Sequence, residues 1–257
     1  MNKNILLGSF SQANFGDDWI LNDAMKKWET NRICSKGLIP KKCNFSFSFL
    51  KNIILPGGGL FQDRTSNASF YWYFFMVLVS RKAKAYDMDL TELKSPFKKF
   101  LLNFLINLKF DFFELRPATS FLKLKQGLDS VCLPCINDSI REGVVWCPYP
   151  ADQFIPALAD SVFVSDKRNY FCNFSDFNYF YHQTEDIKKS FIFLSRKDAI
   201  ISSRYHPLLL AWMNGQKGLG IGPQGGKIHH LCKRAGFPYS SSNEDLPKPQ
   251  FANSKWI

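Results

Sequence analysis

Two residues apart in "AIISSRYHPLLLAWMNG" (199–215), Arg204 and His206 separate one apolar run from another. A guanidinium is a fixed planar cation that matches phosphate or carboxylate geometry. An imidazole donates hydrogen bonds and exchanges protons near neutral pH. Pro207 suits the first position of a helix, so the following run should aim its free amides and positive dipole end at the same loop. With Ser203 beside them, these residues describe an anion site with acid/base capacity. The competing reading is an arginine capping strand carbonyls and a histidine satisfied in the interior.

Three further loops carry polar residues that could serve such a site. In "GIGPQGGKIHH" (220–230), Lys227 at a helix start is a second cation for the same anion. The loop is not a P-loop, because Ile221 holds the first glycine position and Ile228 follows the lysine. Its G-x-G-x-x-G is interrupted by Pro223, and no strand leads to the ribose-binding acid a dinucleotide needs about 20 residues on. His229 and His230 read as helix-surface residues. "GGGLFQDRTS" (57–66) offers Gly57, Gly58 and Gly59 for a close backbone approach or a sharp turn, then Gln62, Asp63, Thr65 and Ser66. Asp63 reads either as a base that orients a hydroxyl or as a helix cap. "NFGDD" (14–18) supplies Asn14, Gly16 and the adjacent carboxylates Asp17 and Asp18, one of which is expected to be an N-cap.

Other chemistries find little support. The four histidines show no metal-ligand spacing, and Cys132 and Cys135 form a lone C-x-x-C. The seven cysteines, odd in number and scattered, form no disulfide framework and suit a reducing cytoplasm. No G-x-S-x-G nucleophile elbow occurs.

These loops need elements to hold them. "NILLG" (4–8) reads as a strand followed by a helix with Trp19, Ile20, Ala24 and Trp28 at helical spacing. "NIILP" (52–56), the glycine triplet and an aromatic helix over 69–84 repeat that grammar. Helix is expected over 96–109, strand over 110–116, a short helix over 118–127 and a strand over 130–138. A second series restarts with strands at 142–148, 160–166 and 169–174, an unplaced aromatic stretch at 174–182, and a helix over 184–197. Strand, helix, strand, helix then run from 199 to Gly236, before a polar tail beyond about 243, expected to be irregular or draped over the other domain. Alternating strands and helices imply parallel sheets with covered faces, and ligands at the carboxyl ends of the strands. The expectation is therefore two Rossmann-like α/β domains, 1–140 and 141–257.

With 257 residues, 46% of them hydrophobic and 21% charged, the chain can build such cores. Its net charge of +11 favours anionic partners: phosphorylated metabolites, nucleic acid or an acidic membrane surface. Neither of its long apolar runs (70–79, 100–108) reaches the roughly 20 residues of a membrane span. The second, flanked by Lys98, Lys99 and Lys109, reads as a buried helix, with a membrane-surface helix as the alternative. No secretory leader is visible at the start of the sequence.

In order along the chain, "NFGDDWIL", "LPGGGLFQDRTS", "ELRPATSFLKLKQGL", "IND" and the 201–238 segment resemble the polysaccharide pyruvyl transferase family. About 100 residues carry the likeness. It implies a fold similar to GT-B glycosyltransferases, with the site in the cleft between domains. It also implies transfer of the enolpyruvyl carbons of phosphoenolpyruvate onto two sugar hydroxyls, with no cofactor and no metal. The acceptor would be a sugar or lipid-linked oligosaccharide of exopolysaccharide or cell-wall biosynthesis. The setting would be cytoplasmic or at the inner face of an anionic membrane, with no nucleic-acid partner. Arg204 and His206 fall on the family's R-x-H, and Lys227 on the lysine of its following loop. His206 is the candidate acid; Asp17, Asp18 or Asp63 would orient or deprotonate the sugar. The chain departs from the family in Gly16-Asp17-Asp18 for the usual G-D-E and in "AYDMDLTELKSP", which lacks the expected glycines. A nucleotide-sugar glycosyltransferase and a degenerate, non-catalytic relative are the other readings.

Overall fold

The computed structural model describes residues 4–10, 14–30, 32–35, 51–63, 67–90, 93–115, 141–149, 152, 154–165, 178–183, 186–242 and 244–254. The chain divides into two compact units, Met1–Ser11 with Trp19–Cys132 and Gln12–Asp18 with Leu133–Ile257. Among the described residues, each is built on one parallel sheet, of five strands in the first unit and six in the second, with six helices in all. The two-domain α/β expectation holds.

In the first unit the strand order is β2-β1-β3-β4-β5, formed by Asn4–Gly8 (β1), Ile33–Ser35 (β2), Asn52–Leu55 (β3), Lys82–Met88 (β4) and Phe110–Leu115 (β5). Leu6 and Leu7 of β1 and Ile53 to Leu55 of β3 are buried, as central parallel strands with both faces covered require. Helices α2 (Asn67–Leu78) and α3 (Pro96–Lys109) pack on one another and share one apolar core through Phe70, Tyr73, Val77, Leu102, Leu105 and Ile106. Helix α1 (Phe15–Lys27) follows β1, and the division between the units falls within it, after Asp18.

The expected helix over 69–84 ends early. The Ser80 amide and hydroxyl both donate to the Val77 carbonyl and close α2. Residues 82–85 then alternate exposed lysine with buried alanine, a period of two that only a strand can use. Strand β4 is therefore a correction, and so is β2, too short for its pattern to be read. The elements expected at 118–127, 130–138 and 169–174 lie outside the described residues, as do Thr65, Ser66, Cys132 and Cys135.

The second unit has the order β11-β10-β9-β6-β7-β8. Its strands are Val144–Cys147 (β6), Ser161–Val164 (β7), Asn178–Tyr181 (β8), Ala199–Ser202 (β9), Lys217–Ile221 (β10) and Tyr239–Ser240 (β11). Helices α4 (Ile187–Ser195), α5 (Tyr205–Met213) and α6 (Lys227–Ala235) follow β8, β9 and β10. The unplaced aromatic stretch thus contains β8. Helix α5 lies against β9 and β10 and touches α4 and α6. That is why Leu208, Leu209, Leu210 and Ala211 are all fully buried and the helix has almost no polar face. Truncating one of these leucines to alanine should cost about 2–5 kcal/mol.

One local expectation changes. Helix α5 begins at Tyr205 with Arg204 as N-cap, so Pro207 stands at its third position rather than its first. Proline fits there because first-turn amides have no acceptor within the helix. The described tail is irregular, as one of its two readings expected, and is tied within the second unit: Gln250 exchanges two backbone hydrogen bonds with Gly218, and the Ser254 carbonyl accepts from the Trp212 indole.

Candidate functional site

Strand β9 lies between β10 and β6, so its carboxyl end opens beside the ends of both. Three hydroxyl and carboxylate groups fix the loop that leaves it. The Ser202 hydroxyl donates to the Arg204 carbonyl (2.8 Å) and accepts from the Arg204 amide (2.9 Å). The Ser203 hydroxyl donates to the Asp152 carboxylate, and the Tyr149 amide donates to both Ser203 Oγ and Asp152 Oδ2 at 2.7 Å. The loops after β6 and β9 are thereby stitched side by side.

Arg204 Nε donates to the Pro148 carbonyl at 3.0 Å, and the guanidinium carbon lies 5.3 Å from the centre of the Tyr149 ring. One edge of the guanidinium is thus spent on orientation. The capping reading is met in this side chain: Nε caps the Pro148 carbonyl just past β6, with the guanidinium near the Tyr149 ring. Its charge sits close enough to the buried Cys147 to oppose the effect of burial on that thiol. Burial prevails, and Cys147 is held far above the ordinary thiol range. Cys147 is therefore an inert interior thiol and not a nucleophile.

His206 occupies the first turn of α5 and meets the first turn of α1. A Cβ added to Gly16 would lie 2.0 Å from His206 Nδ1, so only glycine permits the approach. The amino ends of α1 and α5 therefore converge, both within the second unit. Asn14, not Asp17 or Asp18, caps α1: its Oδ1 accepts from the Gly16 amide at 3.2 Å, and its Nδ2 donates to Asp17 Oδ2 at 2.9 Å. Asparagine and aspartate cap equally well, and Asn14 alone stands at the boundary. Asp17 remains half-exposed at the helix start.

Asp18 points elsewhere. It is buried, and its Oδ2 lies 3.0 Å from Nε2 of the fully buried His182, whose Nδ1 lies 2.7 Å from Ser190 Oγ. The order Ser–His–Asp resembles a hydrolase triad, but Ser190 and His182 are both fully buried. No substrate reaches this serine, so the chain of bonds is a structural staple. Phe15 adds edge contacts to Phe163, His182 and Phe191, and its amide donates to the Ser165 carbonyl. Together they hold the first turn of α1 where His206 meets it.

Lys227 opens α6 behind the β10 loop and is exposed. Because β10 neighbours β9, Lys227 follows a loop on the same carboxyl edge as Arg204. His229 is not a bare surface residue: its Nδ1 accepts from the Gly225 amide at 3.1 Å and shapes that loop.

Gly57, Gly58, Gly59, Gln62 and Asp63 lie in the first unit and form a group of their own. Gly57 and Gly58 have φ of 144° and 97°, which side chains other than glycine's seldom adopt. A Cβ on Gly59 would lie 2.1 Å from the Gln62 amide. Gly58 bonds to Asp87 and Asp89 through backbone groups, extending the ladder between β3 and β4 past its last residues. The expectation that Asp63 is a base is corrected. Its carboxylate accepts from the Lys94 and Ser95 amides and from Lys98 Nζ, all within 2.7 Å. The Lys98 bond above all, helped by the two amides and opposed by burial, holds the carboxyl below its usual range. It clamps the start of α3 and is poorly suited to take a proton.

The aspartates that sequence reasoning missed are Asp87 and Asp89. Both are buried at the carboxyl end of β4, Asp87 with a φ of 46°, beside the glycine turn. Reading 69–84 as one helix hid them; the lysine–alanine alternation was the signal. His182 and Asp152 had no sequence signal, since their partners are distant in the chain. Among the described residues, no group of three or more His, Cys, Asp or Glu side chains could hold a metal ion.

No protein-family model and no curated protein matches the chain. Among solved structures, it is similar to an uncharacterized protein of Klebsiella pneumoniae subsp. pneumoniae, with a TM-score of 0.54 and 11% identity. That likeness covers 93% of this chain and 94% of the other. At such identity it bears on the fold alone.

Proposed function

We propose that the protein transfers the pyruvyl group of phosphoenolpyruvate to two hydroxyls of a sugar, forming a pyruvate ketal and inorganic phosphate. The observation that carries this reading is the Gly16–His206 contact, which brings two helix amino ends together beside an oriented arginine. Positive helix dipole ends favour an anion, and Arg204 supplies a full charge. Phosphoenolpyruvate presents both a phosphate and a carboxylate, and Lys227 is assigned the second of the two cationic contacts.

His206 delivers a proton to the methylene carbon, leaving a positive charge at the central carbon that the first sugar hydroxyl attacks. Asp17, half-exposed and oriented by Asn14, receives the hydroxyl proton. The carbon–oxygen bond to phosphate then breaks, the second hydroxyl adds to the same carbon, and its proton leaves. Of the two hydroxyl protons, one balances the proton gained by the new methyl group and the other leaves with phosphate, so no oxidant, metal or cofactor is consumed.

A His206→Gln enzyme, assayed for phosphate release with a mixture of sugar acceptors, should lose turnover by about 10²–10⁴-fold, the usual contribution of a positioned acid. Binding of phosphoenolpyruvate should change far less. Turnover equal to that of the wild type would remove His206 from the chemistry. A nucleotide sugar that is consumed where phosphoenolpyruvate is not would replace pyruvyl transfer by glycosyl transfer.

A further inference from the structure

Helix α3 buries one apolar face and exposes another. Lys98, Leu102, Leu105 and Ile106 face the core, while Phe97, Phe100, Phe104 and Leu108 are 61, 68, 51 and 49% exposed. At about 100° per residue these four fall within one narrow stripe, and Lys99, Asn103 and Asn107 form the polar strip beside it. Helix α2 packs on α3 in the same layer and adds the exposed Tyr71 and Phe75. Scattered exposed hydrophobics need no explanation, but an aromatic stripe along one helix, with exposed rings on the helix packed beside it, does.

We infer that the outer face of α2 and α3 is an interfacial docking surface for an anionic phospholipid bilayer. Charge complementarity decides the occupant. Neither helix contains a single aspartate or glutamate. Exposed Lys94 precedes α3, exposed Arg81 follows α2, and Lys99 lies along the stripe. Two carboxylates of the first unit are already committed, Asp63 to Lys98 and Asp111 to Lys82. An aromatic stripe rimmed by cations suits the headgroup region, where rings enter the acyl boundary and basic side chains meet anionic lipid. A second copy of the same face would set like charges against one another, on a chain already carrying +11. Among the described residues no helix is long and apolar enough to cross a membrane, so the contact is peripheral. This inference stands independently of the pyruvyl-transfer reading.

The test is co-sedimentation of the whole protein with vesicles of phosphatidylglycerol and phosphatidylcholine, beside vesicles of phosphatidylcholine alone. The wild type should pellet with the anionic vesicles, less so as salt rises. Phe100→Ser with Phe104→Ser should weaken that binding about tenfold or more. Both side chains are over half exposed, so the melting temperature should hold. If it does not, Lys94→Glu with Lys99→Glu tests the same face by charge and should abolish the preference for anionic vesicles. Tyr179→Ser, at an aromatic 52% exposed in the second unit, should leave binding unchanged. Failure to pellet with anionic vesicles, or pelleting that survives both double substitutions, overturns the inference. So does a dimer, seen by sedimentation velocity, that the phenylalanine substitutions dissolve while vesicles are ignored.

Discussion

The carboxyl edges of the two sheets share an architecture and differ in charge. In the second unit the loops after β6, β9 and β10 present Ser203, Arg204, His206 and Lys227, with the amino end of α1 brought to them. In the first unit the three glycines after β3 lie beside Asp87, at the end of β4, and Asp89 just past it, both buried. Cations and positive helix dipole ends suit an anion. Carboxyl groups buried beside a glycine turn do not. A parallel sheet therefore fixes where a ligand can sit, and the loop residues decide which ligand.

The comparison breaks most severely at His182. His182→Ala strips the buried Asp18 of its partner and opens a space among Phe15, Phe163 and Phe191. Truncating a fully buried ring and leaving its hydrogen-bond partner unmatched costs about 3–5 kcal/mol. Chemical denaturation should show a loss of that order. Hydrogen exchange should show protection lost at residues 14–18 while the β3–β4 amides keep theirs.

Gly16→Ala should cost less, about 1–3 kcal/mol, the usual price of overpacking. Its informative consequence is displacement of His206: turnover should fall even where folding is restored by low temperature. Full activity in the folded variant would separate the cationic edge from α1.

Asp63→Asn is the mildest change and sharpens the other half of the comparison. Asp63 has a lowered pKa in the folded protein. Its contribution is therefore present above the unfolded value near 3.8 and is lost as pH falls through the lower folded value. Thermal melts of the asparagine variant should show a shallower loss of stability in that acid window and turnover close to wild type at neutral pH. A large loss of turnover at neutral pH would return Asp63 to the chemistry.

Much of this arrangement is legible in the sequence because the loops are punctuated. Ser202-Ser203-Arg204 interrupts two apolar runs, and the glycine triplet follows a short apolar strand, so both are marked as ligand loops by composition alone. Strand β4 is hidden because the aromatic run before it reads as a continuing helix, although lysine–alanine alternation begins at Lys82. The cap of α1 is misread because Asn14 and the two aspartates are chemically interchangeable as caps. The bond from Asp18 to His182 spans 164 residues, a separation at which local pattern carries no information.

The central claim is that the β9–α5 loop binds an anionic donor through Arg204. Thermal stabilisation of the purified protein by phosphoenolpyruvate, measured beside UDP-sugars for the wild type and Arg204→Ala, tests it most directly. The account predicts a shift with phosphoenolpyruvate that the substitution removes, because a charged hydrogen bond worth about 1.5–3 kcal/mol is lost. An equal shift in both proteins, or a shift with UDP-sugars alone, would contradict it.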